Sequence, residues 1–264
     1  MELFAMFSLA IVQGLTEFLP ISSSGHLILA PHLFGFVDQG LATDVAVHLG
    51  SLLAVVLFFR HDIATLWLAW WHSIVHQHHT AESRLAWSII LATIPVMMCG
   101  LLLKDWVSDE LRASWIIASA TLGFGLLLAW ADMRGTRQRS MTQVTLKDAW
   151  IIGCAQVLAL IPGTSRSGIT MTAGLMLGLS REAAARFSFL LSIPTILAAS
   201  VLVTADLAQT SAPVPWIDLG TTLLLSAITA YICIHFFLQC IERIGMWPFV
   251  IYRIVLAGLI FALI

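Results

Sequence analysis

Gln13-Gly14-Leu15-Thr16-Glu17-Phe18-Leu19-Pro20-Ile21-Ser22-Ser23-Ser24-Gly25-His26 and Pro162-Gly163-Thr164-Ser165-Arg166-Ser167-Gly168-Ile169-Thr170 interrupt two otherwise apolar stretches, Phe4–Phe34 and Ala149–Leu177. In hydrocarbon, a broken helix leaves backbone groups unpaired unless the break is enclosed by protein or faces water. Each stretch therefore reads as a re-entrant helix–break–helix hairpin. The two superpose at an offset of 143 residues, with Gln13 on Gln156, Ser22 on Ser165, Ser24 on Ser167, Gly25 on Gly168 and Gly35 on Gly178. After a short insertion the register shifts, placing Asp44 and His48 on Glu182 and Arg186, and farther on Trp115 falls on Trp247.

Around these breaks the chain is a membrane protein by composition. Hydrophobic residues make up 59% and charged residues 11%, against about a quarter charged in soluble domains, and mean hydropathy is +0.93. Runs long enough to cross about 30 Å of hydrocarbon occur near Leu41–Phe59, Leu85–Leu103, Ala113–Ala131, Ala183–Thr204, Trp216–Leu238 and Trp247–Ile264. The expected fold is an all-α polytopic membrane protein of two repeats: residues 1–134 with a hairpin over 4–34, a linker over 135–147, and residues 148–264 with a hairpin over 149–177. Three crossings per repeat is an odd number, so the second repeat enters the membrane inverted, which brings two broken segments together near the midplane.

Basic residues set the orientation. One side collects Arg60, Arg84, Arg134, Arg137, Arg139, Lys147, Arg181, Arg186, Arg243 and Arg253, and the other only Lys104 and Arg112. The first side is expected to be cytoplasmic, with both termini periplasmic. The N-terminal segment reads as retained rather than as a cleaved signal peptide, since Gln13 and Glu17 interrupt its apolar run. Trp67, Trp70 and Trp71 read as interfacial anchors beside a cytoplasmic loop carrying His72, His76, His78 and His79. Net charge is only -2 with no basic block, which excludes nucleic acid as a partner; membrane lipids and lipid-borne ligands remain, and a homodimer is left open. The cysteines show neither a disulfide framework nor metal-knuckle spacing.

The chemistry concentrates in the breaks. Gln13 and Glu17 share a helical face leading into hydroxyls and an imidazole. The second break reads as a phosphate cradle: a flexible turn followed by a helix whose first-turn amides bind an anion. An arginine inside the membrane costs about 2.5–3.5 kcal/mol on insertion scales, so Arg166 is expected to face a polar cavity and a partner, for which a phosphate oxygen suits the guanidinium fork. The plain alternative is that Glu17 and Arg166 form a structural pair and that the serines only pack helices. The Asp44/His48 and Glu182/Arg186 pairs read as structural.

The segments QGLTEFLPISSSGH and PGTSRSGIT resemble the two signature regions of the bacitracin-resistance type undecaprenyl-diphosphate phosphatases. The likeness spans the chain. It implies removal of the terminal phosphate of undecaprenyl diphosphate, regenerating the carrier for peptidoglycan synthesis, with a divalent cation, magnesium or calcium, and a periplasm-facing site in the inner membrane. Carried over onto matching positions, catalytic roles fall on Glu17, Ser23, His26 and Arg166, with Glu17 also a metal ligand. Substrate contacts fall on Gln13, Ser22, Ser24, Gly25, Gly163, Thr164, Ser165, Ser167, Gly168 and Thr170. Many members of that family carry Glu at the position of Gln13. Two nucleophiles remain open, a water activated by Glu17 or His26, or the Ser23 hydroxyl with a nearby base. A transporter or flippase of a polyprenyl phosphate or other anion is the alternative class, because inverted repeats with broken helices also build alternating-access carriers.

Overall fold

A computed structural model describes residues 3–27, 35, 40–111, 113–207 and 216–263. All regular structure in them is helical: α1 (Leu3–Thr16), α2 (Leu41–Phe58), α3 (Arg60–Val75), α4 (Ala81–Glu110), α5 (Ser114–Arg134), α6 (Leu146–Val157), α7 (Arg166–Met176), α8 (Arg181–Leu207), α9 (Trp216–Ile244) and α10 (Trp247–Leu263). Residues 28–34 of the expected first hairpin, Arg112 and Ile264 lie outside the described residues.

Four of the helices, α4, α5, α8 and α9, are long and apolar enough to cross a membrane, and five if α2 and α3 count as one bent span. The protein is thus a multi-pass membrane protein, with fewer full-length crossings than the six expected. The difference lies in two places. Helix α10 has 17 residues, just short of a full span, and α2 ends at Phe59, where the axis turns by 76° into α3. The bend has local causes. Charged and polar side chains arrive at Arg60, His61 and Asp62, and Arg186 pairs with Asp62 at 3.0 Å while its guanidinium lies 5.2 Å from the centre of the buried Phe59 ring. The tryptophans expected beside a loop therefore stand on a helix, as does His72, and His76 caps its end. Trp67, Leu68, Trp71, Ile74 and Val75 are exposed on it, which fits a helix lying in the membrane interface.

Small residues bring the helices together, as they do where no hydrophobic effect drives helix association. At Gly50 of α2 a Cβ would sit 2.3 Å from the Leu223 carbonyl of α9. Ser226 of α9 donates to the Val47 carbonyl at 2.8 Å beside this contact. Near one end of the bundle a forked pair ties α5 to α8, Arg181 Nε and Nη2 donating to the two oxygens of the buried Asp132 at 2.6 and 2.9 Å. Here too Arg139 anchors the segment between α5 and α6. It exchanges backbone hydrogen bonds with Gly178 and Ser180, and its guanidinium donates to Leu177 O and to Asp148 in the first turn of α6.

Arg253 of α10, counted above among cytoplasmic loop residues, is fully buried instead. Its guanidinium donates to five backbone carbonyls: Thr121 at 2.9 Å and Ala120 at 3.4 Å on α5, Pro20 at 3.3 Å in the first break, and Thr164 and Gly163, both at 3.0 Å, in the second. An arginine has five N–H donors and no acceptor, so it matches carbonyls that two interrupted helices leave over.

Replacing Arg253 by Leu strands these carbonyls and is expected to cost about 3–5 kcal/mol, read as a lowered unfolding temperature of the detergent-purified protein; Lys, with three donors, is expected to restore little of it. A second expectation concerns pH. Burial pushes the Asp148 carboxyl up, but the Arg139 hydrogen bond and the Thr145 amide and hydroxyl outweigh it and hold it below the ordinary carboxylate range. Its stabilisation is present above the unfolded pKa of about 4 and is lost as pH falls through the lowered folded value. Asp148→Asn should therefore cost about 1–2 kcal/mol at pH 7, a difference from the parent protein that closes on acidification below about pH 4.

Candidate active site

The two breaks share one local geometry. Ser22 and Ser165 both adopt positive φ, 74° and 70°, a region few non-glycine residues occupy. Each accepts a hydrogen bond at its Oγ from the amide three residues on, Gly25 N at 3.4 Å and Gly168 N at 3.1 Å. Each Oγ also lies 3.2 Å from the hydroxyl two residues on, Ser24 and Ser167. Ser165 thereby caps α7 and aims its first turn at the other break. The breaks are then stitched together: Gly163 N donates to Ser24 Oγ at 3.2 Å, Ser167 Oγ donates to Leu19 O at 2.9 Å, and Arg253 holds both. Gly163 permits this approach. Its φ is +95°, and a Cβ there would lie 2.3 Å from the Ile117 carbonyl.

Across the seam Arg166 Nη2 donates to Glu17 Oε1 at 2.8 Å, while Nη1 donates to Ser188 O at 3.1 Å and buried Nε has no partner. The other carboxylate oxygen, Oε2, accepts from Ser23 Oγ at 3.0 Å and from Gln13 Nε2 at 2.9 Å, and His48 Nε2 stands 3.8 Å from it. One carboxylate thus joins a hydroxyl, an amide, an imidazole and a guanidinium from four separate segments.

A cavity of about 360 Å³ opens beside this cluster, within the size range of small-molecule sites. Its polar wall is Glu17, Ser23, Ser24, Asp44, His48, Ser165 and Arg166. The remaining expected site residues stand behind that wall. Gln13, Ser22, Thr164, Ser167 and Thr170 are buried; Gln13 orients Glu17, while Thr170 Oγ1 bonds Ser188 Oγ at 2.7 Å and donates to Arg166 O, supporting the helix that carries the guanidinium. Gly25 and Gly168 supply capping amides. His26 is not brought to the cavity: Nδ1 donates to Ser22 O at 2.6 Å, and Nε2 meets the Tyr252 hydroxyl at 2.6 Å, with the rings stacked.

His48 and Asp44, read above as a structural pair, occupy the cavity wall instead. His48 Nδ1 donates to Asp44 O at 2.7 Å, which turns Nε2 toward Glu17. An acid and an imidazole inside an apolar run are in themselves a pointer to function; their regular spacing drew the plainer reading. Ser188, which accepts from Arg166, carried no signal, being one small residue on an apolar helix.

No group of three or more His, Cys, Asp or Glu side chains poised around a metal occurs among the described residues. Two carboxylates, those of Glu17 and Asp44, line the cavity.

Comparison with known proteins covers the same ground. Over 266 residues the chain is 56% identical to a Stutzerimonas stutzeri protein named undecaprenyl-diphosphatase 2, with 100% of this chain and 98% of the relative aligned. It is 54% identical to an undecaprenyl-diphosphatase of Alteromonas mediterranea, with 98% of each covered, and 53% identical to one of Nitrosococcus oceani, with 100% and 99% covered. The family model described as bacitracin resistance protein BacA matches residues 6–259, from the first turns of α1 into the last turn of α10, and this chain belongs to that family.

Proposed function

We infer that this protein is an integral membrane phosphatase that hydrolyses undecaprenyl diphosphate to undecaprenyl phosphate and inorganic phosphate. The reaction returns the lipid carrier to peptidoglycan synthesis and confers bacitracin resistance. The observation that carries the reading is the double engagement of Glu17, which holds the Ser23 hydroxyl on one oxygen and the Arg166 guanidinium on the other, at the wall of a single cavity.

That arrangement supports Ser23 as nucleophile. Glu17 Oε2 takes the Ser23 proton as Oγ attacks the terminal phosphorus, and the bond to the bridging oxygen breaks to release undecaprenyl phosphate. Glu17 passes that proton to the departing undecaprenyl phosphate and is again a base when water attacks the phosphoseryl group, releasing inorganic phosphate and restoring the Ser23 hydroxyl. Charge on the transferred phosphoryl oxygens meets Arg166 and the capped N-terminus of α7 at Ser165. His26, turned toward Tyr252, has no step in this scheme. Substrate binding meets Ser24 and Ser165 directly, while Gln13, Thr164, Ser167, Gly168 and Thr170 hold the wall in shape.

A divalent cation completes the site. Arg166 and Glu17 cancel one another, so the charge of a diphosphate enters without a counterion, and Glu17, Asp44 and the phosphates themselves are the oxygens that would hold magnesium or calcium. A cation held there would supply charge neutralisation for the departing undecaprenyl phosphate.

The helices are arranged as two repeats of opposite orientation over residues 1–134 and 148–264, each a re-entrant hairpin followed by three membrane segments, of which the bent α2–α3 pair and the shorter α10 fall short of a straight full span. The paired geometry of the breaks supports this, as does exchange symmetry in the packing: α1 lies on α9 as α6 lies on α4, while α5 pairs with α10 and α2 with α8. With Arg253 removed from the count, basic residues still favour the side of Arg60, Arg134, Lys147 and Arg243 as cytoplasmic, which puts both termini and the cavity mouth toward the periplasm.

Phosphate release from polyprenyl diphosphate in detergent micelles, without a gradient, tests the reading against a carrier, which would release none. Arg166→Ala is expected to lower turnover by about a thousandfold or more in protein that still elutes as a single species; persistence of activity would remove Arg166 from the chemistry. Trapping of ³²P on the parent enzyme but not on Ser23→Ala is the expected sign of the phosphoseryl route. Chelator should abolish turnover, and magnesium or calcium should restore it.

A further inference from the structure

Only part of the cavity wall is polar. Thr195, Ile196, Ala199, Ser200 and Val203 of α8 also line it, opposed by Val96 of α4 and Leu160 after α6. The five α8 residues recur at helical spacing and so form one face, apolar apart from the Thr195 and Ser200 hydroxyls. The same helix carries Ser188, whose carbonyl accepts from Arg166 and whose hydroxyl meets Thr170. Helix α8 thus has its polar foot at the guanidinium and its mainly apolar face about two to four turns farther on, rising by about 12 Å between Thr195 and Val203 at 1.5 Å per residue. Thr195 adds no free polarity, since its hydroxyl donates to Leu191 O at 2.9 Å.

Prolines stand at the start of both apolar walls. Pro95 precedes Val96 within α4, and Pro194 precedes Thr195 within α8. A proline inside a helix removes one backbone hydrogen bond and displaces the preceding turn, which parts neighbouring helices. Ala199, in the middle of the face, is exposed and small.

We propose that the α8 face from Thr195 to Val203, closed by Val96 and Leu160, is the subsite for the first prenyl units of the substrate, with the rest of the chain lying in the surrounding lipid. The occupant follows from continuity and charge. One cavity joins the phosphate-binding cluster to a mainly apolar strip without charged groups, and a diphosphate seated at Arg166 must extend its hydrocarbon somewhere contiguous with it. The volume holds a headgroup and a few prenyl units but nothing as long as undecaprenyl. Contacts made there fix the distance of the terminal phosphorus from Ser23, so tail binding contributes to positioning as well as affinity.

This assignment rests on the phosphatase reading, and the test separates the two. Rates of phosphate release by the full-length protein in micelles are compared for farnesyl diphosphate and isopentenyl diphosphate, which share a headgroup and differ in length. Ala199→Trp fills the strip and is expected to lower kcat/KM for farnesyl diphosphate about tenfold more than for isopentenyl diphosphate, the range a few lost apolar contacts in a pocket produce. Leu197→Trp, on the exposed opposite face of α8, is expected to change neither. Should Ala199→Trp fail to elute as a single species, Ala199→Leu is read in its place with the same sign. Equal losses on both substrates, or no loss on either, would overturn the subsite, and the second result would leave the strip to a structural lipid. A parent enzyme that releases phosphate from neither compound nor from undecaprenyl diphosphate in the same micelles would overturn the phosphatase reading itself and the subsite with it, whereas release from undecaprenyl diphosphate alone would overturn only the subsite as a site for the first prenyl units.

Discussion

Five carbonyls converging on the Arg253 guanidinium are the constraint on which this molecule is built. A chain that interrupts two helices within a bilayer exposes backbone acceptors where water is scarce, at a cost of several kcal/mol for each one left unpaired. Placing a charged arginine at that depth costs about 2.5–3.5 kcal/mol on insertion scales, less than the groups it satisfies. The donors come from α10 and the acceptors from α5 and both breaks. Two segments far apart in the chain are therefore held in register by one side chain. The seam between Ser24 and Gly163, and that between Ser167 and Leu19, follow from it.

With the carbonyls occupied by one arginine, the other is left to face the cavity. Arg166 spends one amino group on Glu17 and one on a single carbonyl, and presents its guanidinium to the cavity. Both serines at positive φ contribute to the same end. Holding a non-glycine residue there costs about 1–3 kcal/mol, offset by two capping hydrogen bonds that start a helix abruptly at the cavity wall. A gentler turn would place the helix N-terminus elsewhere and Arg166 out of reach of Glu17.

Much of this was legible in the sequence. Broken apolar runs, serines repeated at a fixed offset and an intramembrane arginine are local signals, and they located the breaks and the Glu17–Arg166 contact. What could not be read were properties of three-dimensional neighbourhood. Arg253 looked like one more basic residue at the end of an apolar run, because nothing in its surroundings reveals that stranded carbonyls lie 89 and 233 residues away. His26 and His48 exchanged places for a similar reason. Proximity in sequence to the serine cluster favoured His26, whereas the helical turn after Ser22 directs its ring to Tyr252, and α2 returns to bring His48 to Glu17. The polar residues after Phe59 ended the expected span there, but the turn into a second helix was not legible, because the pairing of Asp62 with Arg186 that holds it is a tertiary contact.

Gln13 shows how finely the carboxylate is adjusted. Its amide donates to the Glu17 oxygen that also accepts from Ser23, so it behaves as a neutral clamp and not as a second acid. In relatives that resemble this protein but carry Glu at that position, two carboxyl groups would meet at hydrogen-bond distance, and like charges so placed cannot both ionise without a cation between them or a shared proton. The glutamine removes that requirement. It leaves Glu17 as the carboxylate that holds Ser23, already oriented by Gln13 and Arg166. The same pocket architecture thus admits two electrostatic solutions, and a single buried side chain, out of contact with the cavity, decides between them.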